Sequence, residues 1–255
     1  MAELDARRQA IKDHFIKNRG YWAPIWDQVL ALSPEFFEAY TQLSSVPWKH
    51  GTLEPKVKEF MYIAADASHT HLYNAGTRIH IENALRHGAT EAEIFEVLMM
   101  TAAIGIHGVT VGVPVLMEEL AAAGKLDDEA MDERQVKLKA EFEKNRGYWA
   151  PMWDGVLKLD PDFFEAFCKY SSVPWTRGTL EPKVREFVYI AADAAPTHLY
   201  EPGLRLHIRN AIGYGATKEE LMEVLELVTA ISVHTITESV PILVQAAKTA
   251  AGQSA

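Results

Sequence analysis

Cysteine is nearly absent from this chain of 255 residues, which carries a single thiol at Cys168. One thiol cannot form a disulfide within the chain, a CxxC redox motif or a zinc site built on paired cysteines. Positive charge is also scarce, because 25 lysines and arginines face 35 aspartates and glutamates and leave a net charge of −10. No block of basic residues offsets this locally, so we expect neither nucleic acid nor a membrane surface as a partner.

A secretion signal is also missing from the N-terminal stretch MAELDARRQAIKDHF, which has no apolar core and no small-residue cleavage site. We therefore expect a cytoplasmic protein. One apolar run, residues 94–117, has the length of a membrane span, but it contains Glu96 and His107, and its second copy contains Glu226 and Glu238. Charged side chains are costly in lipid, so this run is interpreted as a helix buried in protein.

An internal duplication dominates the sequence. The stretch KNRGYWAPIWDQVLALSPEFFEAY at residues 17–40 returns as KNRGYWAPMWDGVLKLDPDFFEAF at residues 144–167. The pattern SSVPW..GTLEPKV at residues 44–57 returns at residues 171–184 with the same offset (144 − 17 = 127). A unit of this length is too long for a solenoid repeat and has the size of a domain.

The repeat predicts two domains, residues 1–125 and residues 126–255, joined by a polar connector at residues 121–135. Two copies of one domain can bury like surfaces against each other, so we expect them to be related by a pseudo-twofold axis.

Each copy is predicted to be all-α. Ser33 precedes Pro34 as a helix cap, and Thr90 precedes Glu93 as a capping box. The second copy repeats both signals with Asp160, Pro161, Thr217 and Glu220. No alternating strand pattern bounded by hairpin turns is found, so the fold class is a helical bundle that occurs twice.

A polar constellation recurs in both copies, as HLYNAGTRIH at residues 71–80 and HLYEPGLRLH at residues 198–207. We expect a helix from Asn74 that carries His80 about two turns in, with Gly76 leaving room beside the imidazole and Asn83 able to bond the ring. In the second copy the helix runs from about Glu201 to Tyr214, and the matching residues are His207, Gly203 and Asn210.

The preceding helix, residues 56–68, places Glu59, Tyr62 and Asp66 on one face at spacings of three and four. Glu186 and Asp193 repeat the two acids in the second copy. These carboxylates could simply meet solvent or an arginine. The apolar surroundings, EFMYIAADAS, favour a buried polar face instead.

Two arginines, Arg78 and Arg205, lie near a helix N-terminus, where the helix dipole disfavours a cation unless an anion is close. The anion could be Glu59 or Asp66 within the protein, or the carboxylate of a substrate. Both interpretations stay open.

Four further histidines are candidates for the site. His71 and His198 precede the helices that carry His80 and His207, and both are expected in loops. His107 and His234 coincide within an otherwise divergent apolar part of the two copies, where they could be hydrogen-bonded core residues or ligand contacts. Core packing or a pocket wall could also explain three aromatic residues, Trp22, Trp26 and Trp48.

A family resemblance rests on LEPKVKEFMYIAADA followed by HIENALRHGATEAEIFEVL, and on the matching segments LEPKVREFVYIAADA and HIRNAIGYGATKEELMEVL. Both copies resemble the carboxymuconolactone decarboxylase domain, which belongs with the alkylhydroperoxidase D-like proteins. The histidine eight residues before the glycine of GAT (88 − 80 = 8) is the most recognisable mark. The resemblance covers about residues 50–120 and 177–247 and implies two alkylhydroperoxidase D-like helical bundles.

The peroxidase members of this family carry a CxxC motif where this chain has Tyr73 and Gly76, and Tyr200 and Gly203. Without thiols at these positions no thiolate of the motif can attack a peroxide, so the protein is not expected to be a peroxidase.

The resemblance then implies a cofactor-independent lyase acting on a small carboxylated lactone or ring compound of aromatic catabolism, with neither cofactor nor metal. His80 and His207 would be general acids, oriented by Glu59 and Glu186. Expected substrate contacts are Arg78, Arg205, Tyr73, Tyr200, His71, His198, Asn83, Asn210, His107 and His234. The interval between Glu59 and His80 (80 − 59 = 21) is about two residues longer than in typical members of the family, which leaves open whether the two meet.

Three other possibilities stay open. The protein could be an isomerase, or a non-catalytic small-ligand binding or assembly protein on the same scaffold. A metal site of His71, His80 and Glu59 is disfavoured, because helical ligand pairs usually lie three or four residues apart. The resemblance also implies a homotrimer, in which three tandem chains would form a pseudo-hexamer.

Overall fold

The computed structural model describes residues 5–126 and 130–252, and over these residues it is built of α-helices and short 3-10 turns without a strand. This confirms the predicted all-α class. The first copy contains α1 (Ala6–Arg19), α2 (Ile25–Leu32), α3 (Pro34–His50), α4 (Pro55–Ala67), α5 (Asn74–Arg86), α6 (Glu91–Ala103) and α7 (His107–Ala122). The second contains α8 (Glu133–Arg146), α9 (Met152–Leu159), α10 (Pro161–Arg177), α11 (Pro182–Ala194), α12 (Glu201–Gly213), α13 (Lys218–Thr229) and α14 (His234–Ala250).

The predicted helix caps are present. Ser33 Oγ accepts a hydrogen bond of 3.2 Å from the backbone N–H of Phe36. Thr90 and Glu93 bond reciprocally to each other's backbone N–H groups, as a capping box requires. Each such cap satisfies donors that the first helical turn leaves unpaired, which is why these helices begin where the sequence predicts.

Packing divides the chain into two compact units, Met1–Ala89 with Pro182–Ala255 and Thr90–Glu181, taken over their described residues. Each unit combines helices of both copies. In the second unit α6 packs on α10 and α7 on α9. In the first unit α13 packs on α3 and α4, and α14 packs on α2. The predicted domain boundary after residue 125 follows the repeat. The compact units differ from it, because the C-terminal helices of each copy pack with helices of the other copy.

Two equivalent helices, α4 and α11, pack against each other in the first unit, with α5 on α4 and α12 on α11. Near this contact the Oγ1 atoms of Thr70 and Thr197 are 3.4 Å apart, and these residues occupy the same place in the two copies. A residue meets its own counterpart only beside a twofold axis, so this unit contains the expected pseudo-twofold.

Long apolar stretches end each copy. Glu91–Ala122 and Lys218–Ala250 are long and apolar enough to cross a membrane by length and composition, and 44% of the most apolar window of each is buried inside the structure. Glu96 is buried and accepts hydrogen bonds from the backbone N–H groups of Thr179 and Leu180 at 2.6 and 3.1 Å. A buried carboxylate bonded in this way is typical of a helix packed inside a protein.

Candidate functional site

Helices α4 and α5 bring a glutamate and a histidine together. His80 Nδ1 lies 2.6 Å from Glu59 Oε2, and the two residues are only 5% and 1% exposed. A distance this short is that of a strong hydrogen bond. The interval of 21 residues therefore does allow the two side chains to meet.

The turn between α4 and α5 absorbs the extra residues of this interval. Leu72 adopts a positive φ of 48°, and the backbone N–H of Tyr73 returns to the carbonyl of Asp66 at 2.8 Å. A left-handed conformation costs a branched residue about 1–2 kcal/mol, and the exposed Leu72 side chain gains little in return. Leu199 has the same conformation at the matching position, so the turn is a repeated feature of the site.

Asn83 holds the second oxygen of the glutamate. Its Nδ2 donates to Glu59 Oε1 at 3.3 Å, while Arg86 donates to Asn83 Oδ1. We expected Asn83 to bond the imidazole. It bonds the carboxylate instead, because one turn along α5 carries its side chain past the ring toward α4. Both oxygens of Glu59 are thus engaged, and the orientation of the carboxylate is fixed.

Gly76 leaves room beside the imidazole, as expected, and the space is filled by a second carboxylate. A Cβ atom at this position would collide with Asp66 Oδ2 and with the ring of Tyr73. Asp66 is fully buried, and its carboxylate oxygens lie 3.6 Å from His234 Nδ1 and 3.9 Å from His80 Nε2. Burial raises the pKa of Asp66 to about 7.

The cationic group of the site is Arg19, which the sequence analysis did not identify. Its Nη1 donates to Tyr62 Oη at 2.7 Å and to the carbonyl of Ser44 at 2.9 Å. The ring of Tyr62 stacks on that of His80 at 4.4 Å between centroids. Arg19 is 5% exposed, and its Nε has no hydrogen-bond partner. Arg19 belongs to the repeated motif NRGYWAP, and the repetition of this motif could have identified it. The motif lies outside the segments that resemble the family.

A small cavity opens beside these groups. Its volume is about 40 Å³. One buried water needs roughly 10–15 Å³, so the cavity has room for a few waters or for the polar end of a small ligand. Its polar lining consists of Arg19, Tyr21, Tyr40, Tyr62, Tyr73, His80, His234 and Thr237. Trp26 also lines the cavity, so this tryptophan belongs both to the wall and to the aromatic core around Phe15.

A second histidine pair borders the same cavity. His71 Nε2 lies 2.9 Å from His234 Nδ1, and the ring of Tyr73 stacks on His234 at 3.9 Å while its hydroxyl bonds Thr237 Oγ1 at 2.7 Å. Burial, together with the neighbouring histidines, lowers the pKa of His234 to about 3, and burial also lowers the pKa of His71. Ligand atoms of Asp66, His71 and His234 all lie within 4.8 Å of one another, close enough to hold a metal ion.

The second copy repeats the central pair within the first unit. His207 Nδ1 lies 2.6 Å from Glu186 Oε2, Asn210 donates to Glu186 Oε1 at 3.3 Å, and Tyr189 stacks on His207 at 4.5 Å. Burial raises the pKa of Asp193 to about 7, and a Cβ at Gly203 would collide with its carboxylate. The histidine, glutamate and asparagine are therefore arranged in the same way in both copies.

Comparison with known proteins identifies the family of the chain. A profile described as the carboxymuconolactone decarboxylase family matches residues 34–124 and 161–236. The chain belongs to this family. The resemblance derived from the sequence is thereby confirmed.

A solved structure supports the assignment to the carboxymuconolactone decarboxylase family. It is a protein from Burkholderia xenovorans LB400 described as a candidate gamma-carboxymuconolactone decarboxylase subunit, with a TM-score of 0.93 and 49% sequence identity over 95% of this chain and 98% of that chain. No curated protein matches the chain at a significant level.

The two arginines expected to contact the substrate, Arg78 and Arg205, lie away from the cavity. Arg78 is exposed, because it precedes His80 by two residues and points about 200° away around the helix. Arg205 is also exposed and pairs with Glu201 on its own helix. The contacts of Glu59 and Asp66 come from histidine and asparagine side chains instead.

The remaining expected residues divide between the units. Tyr200 is buried, and His198 lies with its ring 6.0 Å from that of Tyr200 in the first unit. Burial and the charge of His69 lower the pKa of His198. His107 begins α7 in the second unit. Trp22 packs on the ring of Phe15, and Trp48 lies beside the guanidinium of Arg19.

Proposed function

We propose that this protein is a carboxy-lyase that removes carbon dioxide from a small carboxylated lactone or related ring compound by acid–base chemistry. The observation that carries the proposal is the hydrogen bond of 2.6 Å between His80 and Glu59 at the wall of a cavity that also contains a buried arginine. The family of the chain and the candidate decarboxylase it resembles support the same reaction class.

In the proposed step the bond between a ring carbon and the carboxylate carbon breaks. Its electron pair is delocalised into the conjugated lactone while carbon dioxide leaves, and a proton then binds a carbon of the resulting anion. Nδ1 of His80 is occupied by Glu59, so Nε2 is the nitrogen that can deliver this proton. The carboxylate of Glu59 stabilises the imidazolium form before transfer and orients the ring throughout.

Arg19 is proposed to anchor the ligand anion. It is the buried cation of the cavity wall, and one of its N–H groups has no partner within the protein. A guanidinium away from water attracts a carboxylate strongly, because little solvent screens the pair. Arg19 thus takes the role that the sequence suggested for Arg78.

A gas-release assay tests the proposal. Wild-type protein is incubated with a panel of carboxylated unsaturated lactones and with their methyl esters, which lack the anion and cannot lose carbon dioxide directly. We expect release from at least one free acid and none from its ester. If no acid releases carbon dioxide although one binds saturably, the lyase proposal is wrong.

A non-catalytic binding protein is the second candidate, and the small volume of the cavity favours it. A space of about 40 Å³ suits the end of a small acid better than a reacting bicyclic ligand. Under this alternative, replacing His80 and His207 by glutamine would leave the biological activity intact, whereas a lyase would lose it.

We further propose that the chain assembles as a trimer in solution and acts in the cytoplasm. Several apolar side chains are exposed on the long C-terminal helices, including Ile242 at 70% and Leu243 at 57% on α14. Exposed apolar surface of this kind commonly marks a protein contact. Light scattering should give about three times the chain mass of 28.5 kDa.

A further inference from the structure

We propose that Asp66, His71 and His234 bind a divalent transition-metal ion of the zinc type at the edge of the cavity. The three side chains come from the end of α4, the following turn and the start of α14. Their ligand atoms lie within 4.8 Å of one another. All three belong to the first compact unit.

The separations between these atoms suit a metal. His71 Nε2 and His234 Nδ1 are 2.9 Å apart, and His234 Nδ1 and Asp66 Oδ1 are 3.6 Å apart. Ligands about 2.0–2.1 Å from a tetrahedral zinc ion are separated by roughly 3.3–3.4 Å. The two observed distances lie on either side of that value, and the third pair, His71 and Asp66, is within 4.8 Å.

Asp66 is the strongest indication that a ligand belongs here. The residue is fully buried, yet neither carboxylate oxygen has a hydrogen-bond partner. A buried carboxylate is normally paired or bound to a metal, because burying it alone is costly. An ion beside Oδ1 would supply the missing partner.

The two histidines already turn one ring nitrogen each toward the other, His71 through Nε2 and His234 through Nδ1. A metal binds neutral imidazole through such a nitrogen. In the absence of an ion, the contact of 2.9 Å between them needs one shared proton. Metal binding would displace that proton.

Neighbouring groups hold one ligand in place and leave one position open. Tyr73 stacks on the ring of His234 and is itself fixed through its hydroxyl to Thr237. His234 lines the cavity, so an ion bound to it would lie beside the space where a ligand would enter. A water molecule or a carboxylate oxygen could occupy the fourth position of the ion.

The proposed metal site differs from the expectation, drawn from the sequence, that the protein binds no metal. The sequence analysis weighed His71 with His80 and Glu59 and disfavoured that set on spacing. The structure offers a different set, because His234 comes from the other end of the chain, and no local spacing could reveal it.

The experiment is a metal titration of untagged protein that has been stripped with a chelator and dialysed. Zinc binding is followed by calorimetry and cobalt binding by visible absorption. We expect the wild type to bind at least one ion per chain, and Asp66→Asn, His71→Gln and His234→Gln each to weaken that binding at least about tenfold. His14→Gln, which changes an exposed histidine, should leave it unchanged.

Two results would overturn the proposal. One is the absence of zinc and cobalt binding by the wild type, and the other is binding that all three ligand variants leave unchanged. Circular dichroism checks that the variants fold. If they do not, anomalous diffraction from zinc-soaked wild-type crystals replaces them, and an ion located anywhere but among the three side chains contradicts the proposal.

The metal site does not depend on the lyase activity, because binding is measured without a substrate. An ion bound at these residues without release of carbon dioxide would disprove the proposed function alone. If carbon dioxide is still released after complete removal of metal, and no ion binds at these residues, only the proposed metal site would be disproved.

Discussion

Glu59 and His80 lie on successive helices, 21 residues apart, and their side chains meet at 2.6 Å inside the protein. Because Asn83 holds the other oxygen of the carboxylate, the imidazole can tilt little relative to α4. The relative orientation of the two side chains is therefore fixed before a ligand binds, and efficient proton transfer requires such preorganisation.

Replacing the glutamate tests its positioning role. Glu59→Gln should lower kcat about 10–100-fold while KM changes little, because the amide can hold the ring but cannot stabilise the imidazolium. The pH profile of kcat should also shift, which a purely structural change would not cause. Glu82→Gln, on the exposed face of α5, is the matched control. An unchanged pH profile in Glu59→Gln would speak against the assigned role.

Replacing the buried arginine tests anion binding. Arg19→Lys should raise the Kd of a carboxylated ligand about tenfold, because a lysine keeps the charge and loses the planar fork that also bonds Tyr62 and Ser44. The methyl ester of that ligand should bind equally to both proteins. Arg7→Lys, in an exposed ion pair, serves as control. Equal loss of acid and ester binding would point to a structural effect instead.

Adding one methyl group tests the close approach of α5 to Asp66. Gly76→Ala should lower the free energy of unfolding by about 1–3 kcal/mol, because the new Cβ collides with a buried carboxylate that cannot move freely. In Gly112→Ala, in α7, the new Cβ meets no atom within 4 Å. This substitution should raise the free energy of unfolding by up to about 1 kcal/mol, the normal gain of alanine over glycine in a helix. Urea denaturation measures both. A neutral Gly76→Ala would contradict the packing described here.

The buried acid of the second copy should make stability depend on pH. Burial raises the pKa of Asp193 from 3.8 to about 7. The native state therefore binds a proton that the unfolded state releases, so the stabilisation is complete below about pH 4 and is lost as the pH rises through about 7. Asn resembles the protonated acid and does not titrate.

Asp193→Asn should thus match the wild type near pH 4 and be more stable above about pH 7, by at most about 4 kcal/mol. Urea denaturation across this range, with chelator present, measures the difference. The opposite trend, in which the variant loses stability as the pH rises, would show that the carboxylate is charged and paired in the native state.

The single thiol should be unreactive. Burial raises the pKa of Cys168 to about 12, so almost no thiolate exists at neutral pH. Alkylation of the native protein should be at least about 100-fold slower than that of free cysteine and should become fast after denaturation. Rapid alkylation, or peroxide consumption that Cys168→Ser abolishes, would reopen a redox role.

Local signals in the sequence predicted the local structure well. Thr90 with Glu93 marked one helix start and Pro202 marked the start at Glu201, because caps and proline act within one turn. The repeat then extended the second prediction to Asn74. The pairing of Glu59 with His80 could be proposed from the family pattern, yet only the structure shows how a left-handed Leu72 closes the interval.

Relations between distant residues could not be predicted. Arg19 reaches Tyr62 across 43 residues, and His71 reaches His234 across 163. Helical periodicity tells which face of a helix is buried, but it does not tell which other helix covers that face. For the same reason the repeat could not reveal that α6 and α7 pack with helices of the second copy.

The most direct test of the account compares carbon dioxide release by the wild type, His80→Gln, His207→Gln and the double variant on one carboxylated lactone. Since each copy carries its own histidine–glutamate pair, each single variant should keep about half of the rate, and the double variant should lose at least about 100-fold. A folded double variant that releases carbon dioxide at the wild-type rate would contradict the claim that these histidines deliver the proton.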